Sequence, residues 1–269
     1  MTADSLRILV IGAHPDDCEY LAGGTAALYS RLGHQVKLVS LTNGDAGHTQ
    51  LAGAQLARRR AAEAAAAAKA LGAQSLVLDH HDGMLMPSLE LRDEVIAIIR
   101  EFKPDVVMAH RTNDYHPDHR YTGVIVQDAI NMVIVSNLVP FVPSLRYIPV
   151  MLYLWDHFQK PYPFIPDVLV DIDEVYEQKL EGLHSHESQM YEFIFGKADV
   201  PLEQRRDWLK EKAENDMTAP ARMYREQIIK AYGREKGEKI HYIEAFEVCE
   251  YGGKLTPEKR KRFFPFAPG

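Results

Sequence analysis

Two stretches of the sequence concentrate side chains that hold metals and move protons. The first, His14-Pro15-Asp16-Asp17-Cys18-Glu19, follows directly on Gly12-Ala13; the second runs His110-Arg111-Thr112-Asn113-Asp114-Tyr115-His116-Pro117-Asp118-His119. Neutral imidazole nitrogens and carboxylate oxygens suit Zn²⁺ or Fe²⁺, whereas a dedicated Ca²⁺ cage takes more hard oxygens than these segments offer. Three protein ligands leave a coordination position for water. A catalytic zinc lowers the pKa of that water to about 7, which makes hydroxide available at neutral pH. A dinucleotide binder would place GxGxxG in the first stretch, so that backbone N–H groups could approach pyrophosphate. This chain has an imidazole and carboxylates there instead.

The elements around these stretches explain how they meet. Leu6 to Ala13 (LRILVIGA) is a continuous apolar run suited to a strand buried on both faces of a parallel sheet. Similar runs recur at Gln35 to Leu41, Ser75 to Leu78 and Asp105 to Ala109, with further strands expected at Val150 to Trp155 and Val168 to Ile172. Helix-length segments lie between them: Glu19 to Leu32, the Ala-rich Gln55 to Leu71 ending at Gly72, and Leu89 to Phe102 stopping before Lys103-Pro104. This alternation predicts an α/β fold, a Rossmann-like doubly wound, mostly parallel sheet with helices on both faces. In such sheets ligands bind beyond the carboxyl ends of the strands, where both His/Asp stretches fall. Residues 140–166 hold six of the fifteen prolines and many aromatics, and read as a loop-rich cover. Residues 173–233 are charged and helical in character, and the basic, aromatic tail KLTPEKRKRFFPFAPG reads as a solvated or subunit-docked end. The expected organisation is one domain over 1–269: a core over 1–139, the cover over 140–166, and a helical part with the tail over 167–269.

His14-Pro15-Asp16-Asp17 followed by Gly23-Gly24-Thr25, together with His116-Pro117-Asp118-His119, resembles the PIG-L/LmbE-like N-deacetylase family. Thr42-Asn43-Gly44-Asp45-Ala46-Gly47, Arg60-x-x-Glu63 leading to Leu71-Gly72, and His186-Glu187-Ser188-Gln189 extend the resemblance over about residues 6–190. The resemblance implies a metal-dependent enzyme that removes acetyl from an N-acetylglucosamine derivative, as do deacetylases of the mycothiol and bacillithiol pathways. It gives His14, Asp17 and His119 as ligands to Zn²⁺, with Fe²⁺ as the alternative, and Asp16 as general base. His116 matches a residue that, protonated, stabilises the tetrahedral oxyanion, with Asp118 holding its ring; Asp45, Arg60 and His186 match positions near the substrate. The residues themselves leave other readings for some of these: Arg60 and Glu63 as an i,i+3 surface pair, and Asp45 as a turn residue. Cys18 stands where the family often has Glu; it reads as a helix N-terminal residue packed inward, or as a thiolate ligand.

Bulk composition narrows the alternatives. With 31 Lys and Arg against 38 Asp and Glu, the formal charge is −7, and no long basic stripe offers itself to nucleic acid or an anionic membrane. The expected partner is a small N-acyl amino sugar, and a homo-oligomer is compatible with the sequence. Cys18 and Cys249 form no CxxC pair, and the apolar run before His14 is too short for a signal h-region or a membrane span, so a cytoplasmic setting is expected. Competing chemistries are a metal-dependent phosphoesterase, suggested by Asp79-His80-His81, another amidase such as a thiol-conjugate amidase, a non-haem Fe(II) oxygenase, and a binding descendant with a dead site. Oxygenases of that type place their ligands on an all-β barrel, against the alternation seen here, and a pure binder has no need of the base Asp16.

Overall fold

The computed structural model describes residues 5–196 and 199–268 of the 269-residue chain. The element order begins β1 (Arg7–Gly12), α1 (Asp17–Arg31), β2 (Gln35–Thr42), α2 (Gly53–Leu71), β3 (Gln74–His80), α3 (Leu89–Phe102), β4 (Val106–Ala109) and α4 (Pro117–Ile130). It continues with β5 (Val150–Leu154), β6 (Val168–Asp171), α5 (Tyr176–His184), a π-helical turn over Ser188–Ile194, α6 (Arg205–Met223), α7 (Arg225–Tyr232), the single turn α8 (Arg234–Gly237), β7 (Ile243–Val248) and α9 (Pro257–Phe263). The strands form one sheet in the order β3-β2-β1-β4-β5-β7-β6. Strand β1 is parallel to β2 on one side and to β4 on the other, and β7 runs antiparallel to both β5 and β6. The doubly wound, mostly parallel sheet expected from the alternation is the one observed.

Period-2 geometry explains why β1 is apolar throughout. Leu9 and Ile11 pack into the layer formed with α3 and α4, while Ile8 and Val10 pack into the opposite layer with α1. The Ala-rich helix is packed as expected, with Ala64, Ala67 and Ala68 buried. Cys18 is also buried, its Sγ against the carbonyls of Val10 and Val39, in keeping with the packed-inward reading. A third, smaller core joins α5, the π-turn and α6 through Tyr176, Leu180, Met190, Tyr191, Leu209 and Met217. No described helix is long and apolar enough to cross a membrane.

The structure departs from the sequence reading in two places. Strand β7, within the part expected to be helical, inserts between β5 and β6; its two glutamates mask the strand pattern, and one of them, Glu244, is turned inward. Within the 140–166 segment, the strand expected at Val150 to Trp155 is observed as β5, fully buried beside β4. The tail is not wholly solvated, since its aromatic part packs on the core while its charged residues stay at the surface. Phe263 and Phe264 are buried in the α1-side core, and Tyr29 donates from its hydroxyl to the Phe263 carbonyl at 2.7 Å.

Glu244 ties β7 to α1. Its carboxylate accepts from the Gly24 amide at 2.8 Å and the Thr25 amide at 2.7 Å, and pairs with Lys179 Nζ of α5 at 2.7 Å. A Cβ on Gly24 would lie 2.8 Å from Ile172, so the Gly23-Gly24-Thr25 motif marks a close pass where helix amides are given to a buried carboxylate. Removing one member of a buried ion pair leaves the other charge uncompensated, so Glu244→Ala is expected to lower the unfolding free energy by about 3–5 kcal/mol. Urea unfolding of Glu244→Ala and of the double variant with Lys179→Ala measures this; a loss below about 1 kcal/mol would show that the pair does not support the fold.

Candidate active site

The carboxyl ends of β1 and β4 are neighbours in the sheet, and this brings the two His/Asp stretches together. After β1 the chain is pinned to β2: Thr42 donates from both its amide and its hydroxyl to the Ala13 carbonyl at 2.8 Å, and Ser40 Oγ donates to the His14 carbonyl at 3.1 Å. Asp17 then folds back over the strand end, where a Cβ on Gly12 would lie 2.7 Å from its own Cβ. Its Oδ2 accepts from the Ala13 amide at 2.9 Å and the His14 amide at 2.7 Å, and contacts His110 Nε2 at 3.1 Å. After β4, His116 caps α4 with Pro117 at the first helical position, which sets His119 one turn inside the helix.

His14, Asp17 and His119 converge. His14 Nδ1 lies 3.3 Å from His119 Nε2 and 3.5 Å from Asp17 Oδ2, and His119 Nε2 lies 3.5 Å from Asp17 Oδ1. Tetrahedral zinc with bonds of about 2.0–2.1 Å has ligand–ligand edges of about 3.3 Å, so these separations fit the ion. The far side of each imidazole is held. His14 Nε2 meets Asp82 Oδ1 at 3.1 Å and Asp118 Oδ2 at 3.3 Å; His119 Nδ1 meets Asp114 Oδ1 at 3.1 Å. Carboxylates behind ligating histidines fix the tautomer and raise ligand basicity. Other His/Asp groupings with ligand atoms within 4.8 Å of one another, such as His14–His116–His119 and Asp17–His110–His119, overlap this one. His110 stacks on His119 with ring centroids 4.3 Å apart. Burial pushes the Asp17 carboxyl up, but the nearby His119 and His110 outweigh it and hold the group well below the usual carboxylate range.

Asp16 is placed differently from its neighbour. It sits at φ 143° as the cap of α1, a strained conformation for a residue with a Cβ, and its carboxylate lines the cavity and faces Arg60, with Oδ2 3.6 Å from Nη2. Burial raises its pKa to about 6, against the lowering effect of Arg60. His116 lies beside His14, ring centroids 4.7 Å apart, and its Nδ1 accepts from the Asp118 amide at 3.2 Å. Burial and then His14 and His119 lower its pKa, and the hydrogen bond accepted at Nδ1 leaves Nε2 as the nitrogen that can carry a proton toward the cavity. The sequence reading had a protonated His116 held by the Asp118 side chain. That carboxylate instead accepts from the amides of Gly83 at 2.7 Å and Leu85 at 3.2 Å and faces His14.

The three positions expected near the substrate fare unequally. Arg60 lines the cavity but is 1% exposed: Nη2 donates to the Pro15 carbonyl at 2.8 Å and Nη1 to the Gly44 carbonyl at 3.3 Å, with Asp82 Oδ2 at 3.9 Å. It forms no pair with Glu63, which takes Arg59 and Ser188 instead. Asp45 does not reach the cavity; it accepts from the Asp82 amide at 3.0 Å and faces His81 Nδ1 at 2.6 Å, so it holds the loop that carries Asp82. His186 is fully buried 3.5 Å from Glu19 Oε2, not in the cleft; Gln189 of the same motif lines the cavity. Asp79, His80 and His81 take Asn43, Glu94 and Asp45 as partners and none lines the cavity, which leaves the phosphoesterase reading without a site. Sequence reasoning missed Asp82 and the partner role of Asp114, whose signal was only their nearness to the DHH triplet and to His116.

The ligand cluster opens into a cavity of about 780 Å³, large enough for a substrate of disaccharide size or more. Among the described residues its charged lining is acidic: Asp16, Asp17, Asp82, Asp114, Asp156 and Asp216 against Arg60 and Arg111. Arg111 is itself spoken for, with Asp156 Oδ1 at 3.1 Å and the Tyr162 carbonyl at 2.8 Å.

A family model described as PIG-L, GlcNAc-PI de-N-acetylase, matches residues 9–130. The chain is 31% identical over 202 residues to the diacetylchitobiose deacetylase of Thermococcus kodakarensis, covering 71% of this chain and 73% of that protein. It is 25% identical over 193 residues to the 4-oxalmesaconate hydratase of Pseudomonas putida, covering 68% and 74%. Its fold superposes on the crystallised N,N'-diacetylchitobiose deacetylase of Pyrococcus horikoshii with a TM-score of 0.73 at 27% identity, covering 92% of this chain and 85% of that one.

Two measurements follow from the ligand geometry. Elemental analysis of the purified protein is expected to find about one Zn²⁺ or Fe²⁺ per chain, lost in His119→Ala, since three ligands cannot be reduced to two without loss of affinity. Asp114→Ala leaves the ligands in place but frees His119 Nδ1, so metal affinity is expected to fall about 10- to 100-fold in a chelator competition. Unchanged affinity would show that Asp114 does not orient the ligand.

Proposed function

The chain belongs to the PIG-L family of metal-dependent de-N-acetylases, and on that premise we propose that it hydrolyses the N-acetyl amide of a glucosamine derivative, with each residue in the role its geometry allows. The observation that carries the reading is the meeting of His14, Asp17 and His119 at 3.3–3.5 Å with Asp16 beside them in the same cavity and facing Arg60. Bound there, Zn²⁺ or Fe²⁺ supplies Lewis-acid polarisation and a water nucleophilic at neutral pH.

The remaining work is the protein's own. Asp16 accepts a proton from the attacking water, held in position by Arg60, and returns it to the leaving amine. A carboxyl whose burial has raised its pKa to about 6 suits both transfers better than an ordinary aspartate does. His116, with its proton on Nε2, donates a hydrogen bond to the carbonyl oxygen as that oxygen gains charge; a neutral donor suffices, because preorganisation gives the interaction its strength. Asp114 and Asp118 keep the ligand rings oriented. Asp82, fixed from behind by Asp45, and Arg60 offer the acceptor and donors that sugar hydroxyls need.

The hydratase among the relatives raises a second chemistry on the same scaffold. Its named substrate is a polycarboxylate, which calls for cationic walls. Here the lining is acidic, and both guanidiniums already face carboxylates. A neutral, hydroxyl-rich substrate fits that surface and a polyanion does not.

An acetate-release screen of the metal-loaded protein over N-acetylglucosamine, its glycosides, thiol conjugates and chitooligosaccharides tests the reading; acetate from at least one member is expected, and none from any would reject it. Asp16→Asn is expected to retain metal and lose about 10²- to 10⁴-fold in kcat, as removal of a general base does. Near-normal turnover would remove Asp16 from that role. His116→Ala is expected to lower kcat far more than it changes KM, and an effect confined to KM would contradict its part in stabilising the oxyanion.

A further inference from the structure

We propose that Tyr115 and Phe158 form an aromatic platform beside the ligand cluster, on which the pyranose ring bearing the scissile amide stacks. The inference rests on the deacylase reading above and concerns the residues that recognise the sugar.

The two rings come from neighbouring loops. Strands β4 and β5 are adjacent and parallel, so the segments that leave their carboxyl ends start side by side, one carrying Tyr115 and the other Phe158. Both side chains line the ligand cavity, with ring centroids 6.1 Å apart, and His157, also in the lining, lies 4.4 Å from Phe158. The loops are joined from behind. Arg111, whose side chain is wholly buried, donates to Asp156 Oδ1 at 3.1 Å and to the Tyr162 carbonyl at 2.8 Å, and Asn113 Nδ2 donates to the Lys160 carbonyl at 3.2 Å. Asp156 Oδ1 accepts in turn from the Phe158 amide at 2.9 Å. On the Tyr115 side, Arg120 Nη1 donates to the carbonyls of Asp114 at 2.8 Å and Tyr115 at 3.1 Å, and the His116 amide donates to Asp114 Oδ1 at 2.9 Å. Backbone held in this way presents a ring without further ordering when a ligand arrives.

Within the second His/Asp stretch, residues 110–119, only Tyr115 is exposed, at 71%. Its ring nevertheless stands next to the reaction centre, 5.7 Å from the His119 ring and 5.8 Å from the His116 ring, nearly perpendicular to both. An aromatic face kept open to water at that place is surface for a ligand to cover. C2 of an N-acetylated amino sugar is two bonds from the acyl carbon. With that carbon at the cluster and its oxygen on His116, the pyranose falls within stacking reach of a ring that flanks both His116 and His119. A pyranose has apolar C–H faces inside a rim of hydroxyls, so a face lies on the platform while the rim meets polar groups such as Arg60 and Asp82. Aromatic side chains match such a face because they are flat, apolar and lose little rotamer freedom on contact.

The test measures kcat and KM of the metal-loaded enzyme for release of free amine from the methyl glycoside of N-acetylglucosamine and from diacetylchitobiose. Tyr115→Ala is expected to raise KM for both substrates about tenfold and to change kcat far less, the loss that removal of one stacked aromatic ring brings. Tyr115→Phe keeps the ring and is expected to stay within about twofold of the unaltered enzyme. Phe158→Ala, on the other loop and outside the metal motifs, is expected to raise KM in the same direction. A fall confined to kcat in Tyr115→Ala, or an unchanged KM in both alanine variants, overturns the inference while leaving the deacetylase reading standing, and makes Tyr115 a support for His116 and His119 only. A rise in KM with diacetylchitobiose alone also overturns it, because the rings then hold the second sugar. Failure of the unaltered enzyme to release amine from either substrate rejects the deacylase reading itself, and this inference with it.

Discussion

Asp17 divides its two carboxylate oxygens between the fold and the site. Oδ2 takes the Ala13 and His14 amides and contacts His110, so the turn leaving β1 is closed by the side chain that opens α1. Oδ1 faces His119 from the other stretch. Without the first set of bonds the second has no fixed direction. With them, His14 is delivered beside Asp17 by the same turn, and the strained backbone at Asp16 sends the next carboxylate to a different place. Two adjacent aspartates thus differ in proton affinity. Asp17, ringed by imidazoles, is held well below the usual carboxylate range, whereas burial raises the pKa of Asp16 to about 6 against the lowering effect of Arg60, His186 and His14.

A layer of carboxylates stands behind His14 and His119, two of the proposed metal ligands. Asp82 and Asp118 hold His14, Asp114 holds His119, and each of the last two is anchored by backbone amides or by the cap of α4. Such anchoring limits the freedom of ligand rings that would otherwise repel one another or rotate away. It also fills the cavity wall with negative charge.

The C-terminal third gives this site its outer wall and is bound to the core through buried contacts. Lys179 and Glu244 join α5, β7 and α1 in a place where water cannot compensate either charge, and the Phe263–Phe264 pair closes the α1 layer. The α6 face that lines the cavity is therefore placed by packing far from the ligands, and the breadth of the cavity is a property of the whole chain and not of its motifs alone.

Local pattern was enough for much of this. The apolar runs and their 10- to 17-residue helical spacers placed the first six strands and the parallel core to within a residue or two, because strands buried on both faces must be apolar throughout. The same pattern put both His/Asp stretches at strand ends, and their residue types suited Zn²⁺ or Fe²⁺, while the deacetylase reading rested on the family resemblance. Strand β7 was not legible, because a buried glutamate reads as surface until its lysine and helix amides are known. Nor could sequence order tell which imidazole Asp118 serves, that His186 is buried behind the site, that Asp45 acts through Asp82, or that Arg60 faces Asp16 and not Glu63. Those facts depend on contacts between residues tens to more than a hundred positions apart, fixed only when the sheet assembles. The sequence by itself determined which chemical groups gather at the carboxyl ends of β1 and β4; the tertiary structure decided which oxygen or nitrogen of each faces inward, because a side chain's direction is set by the partners that satisfy its other atoms.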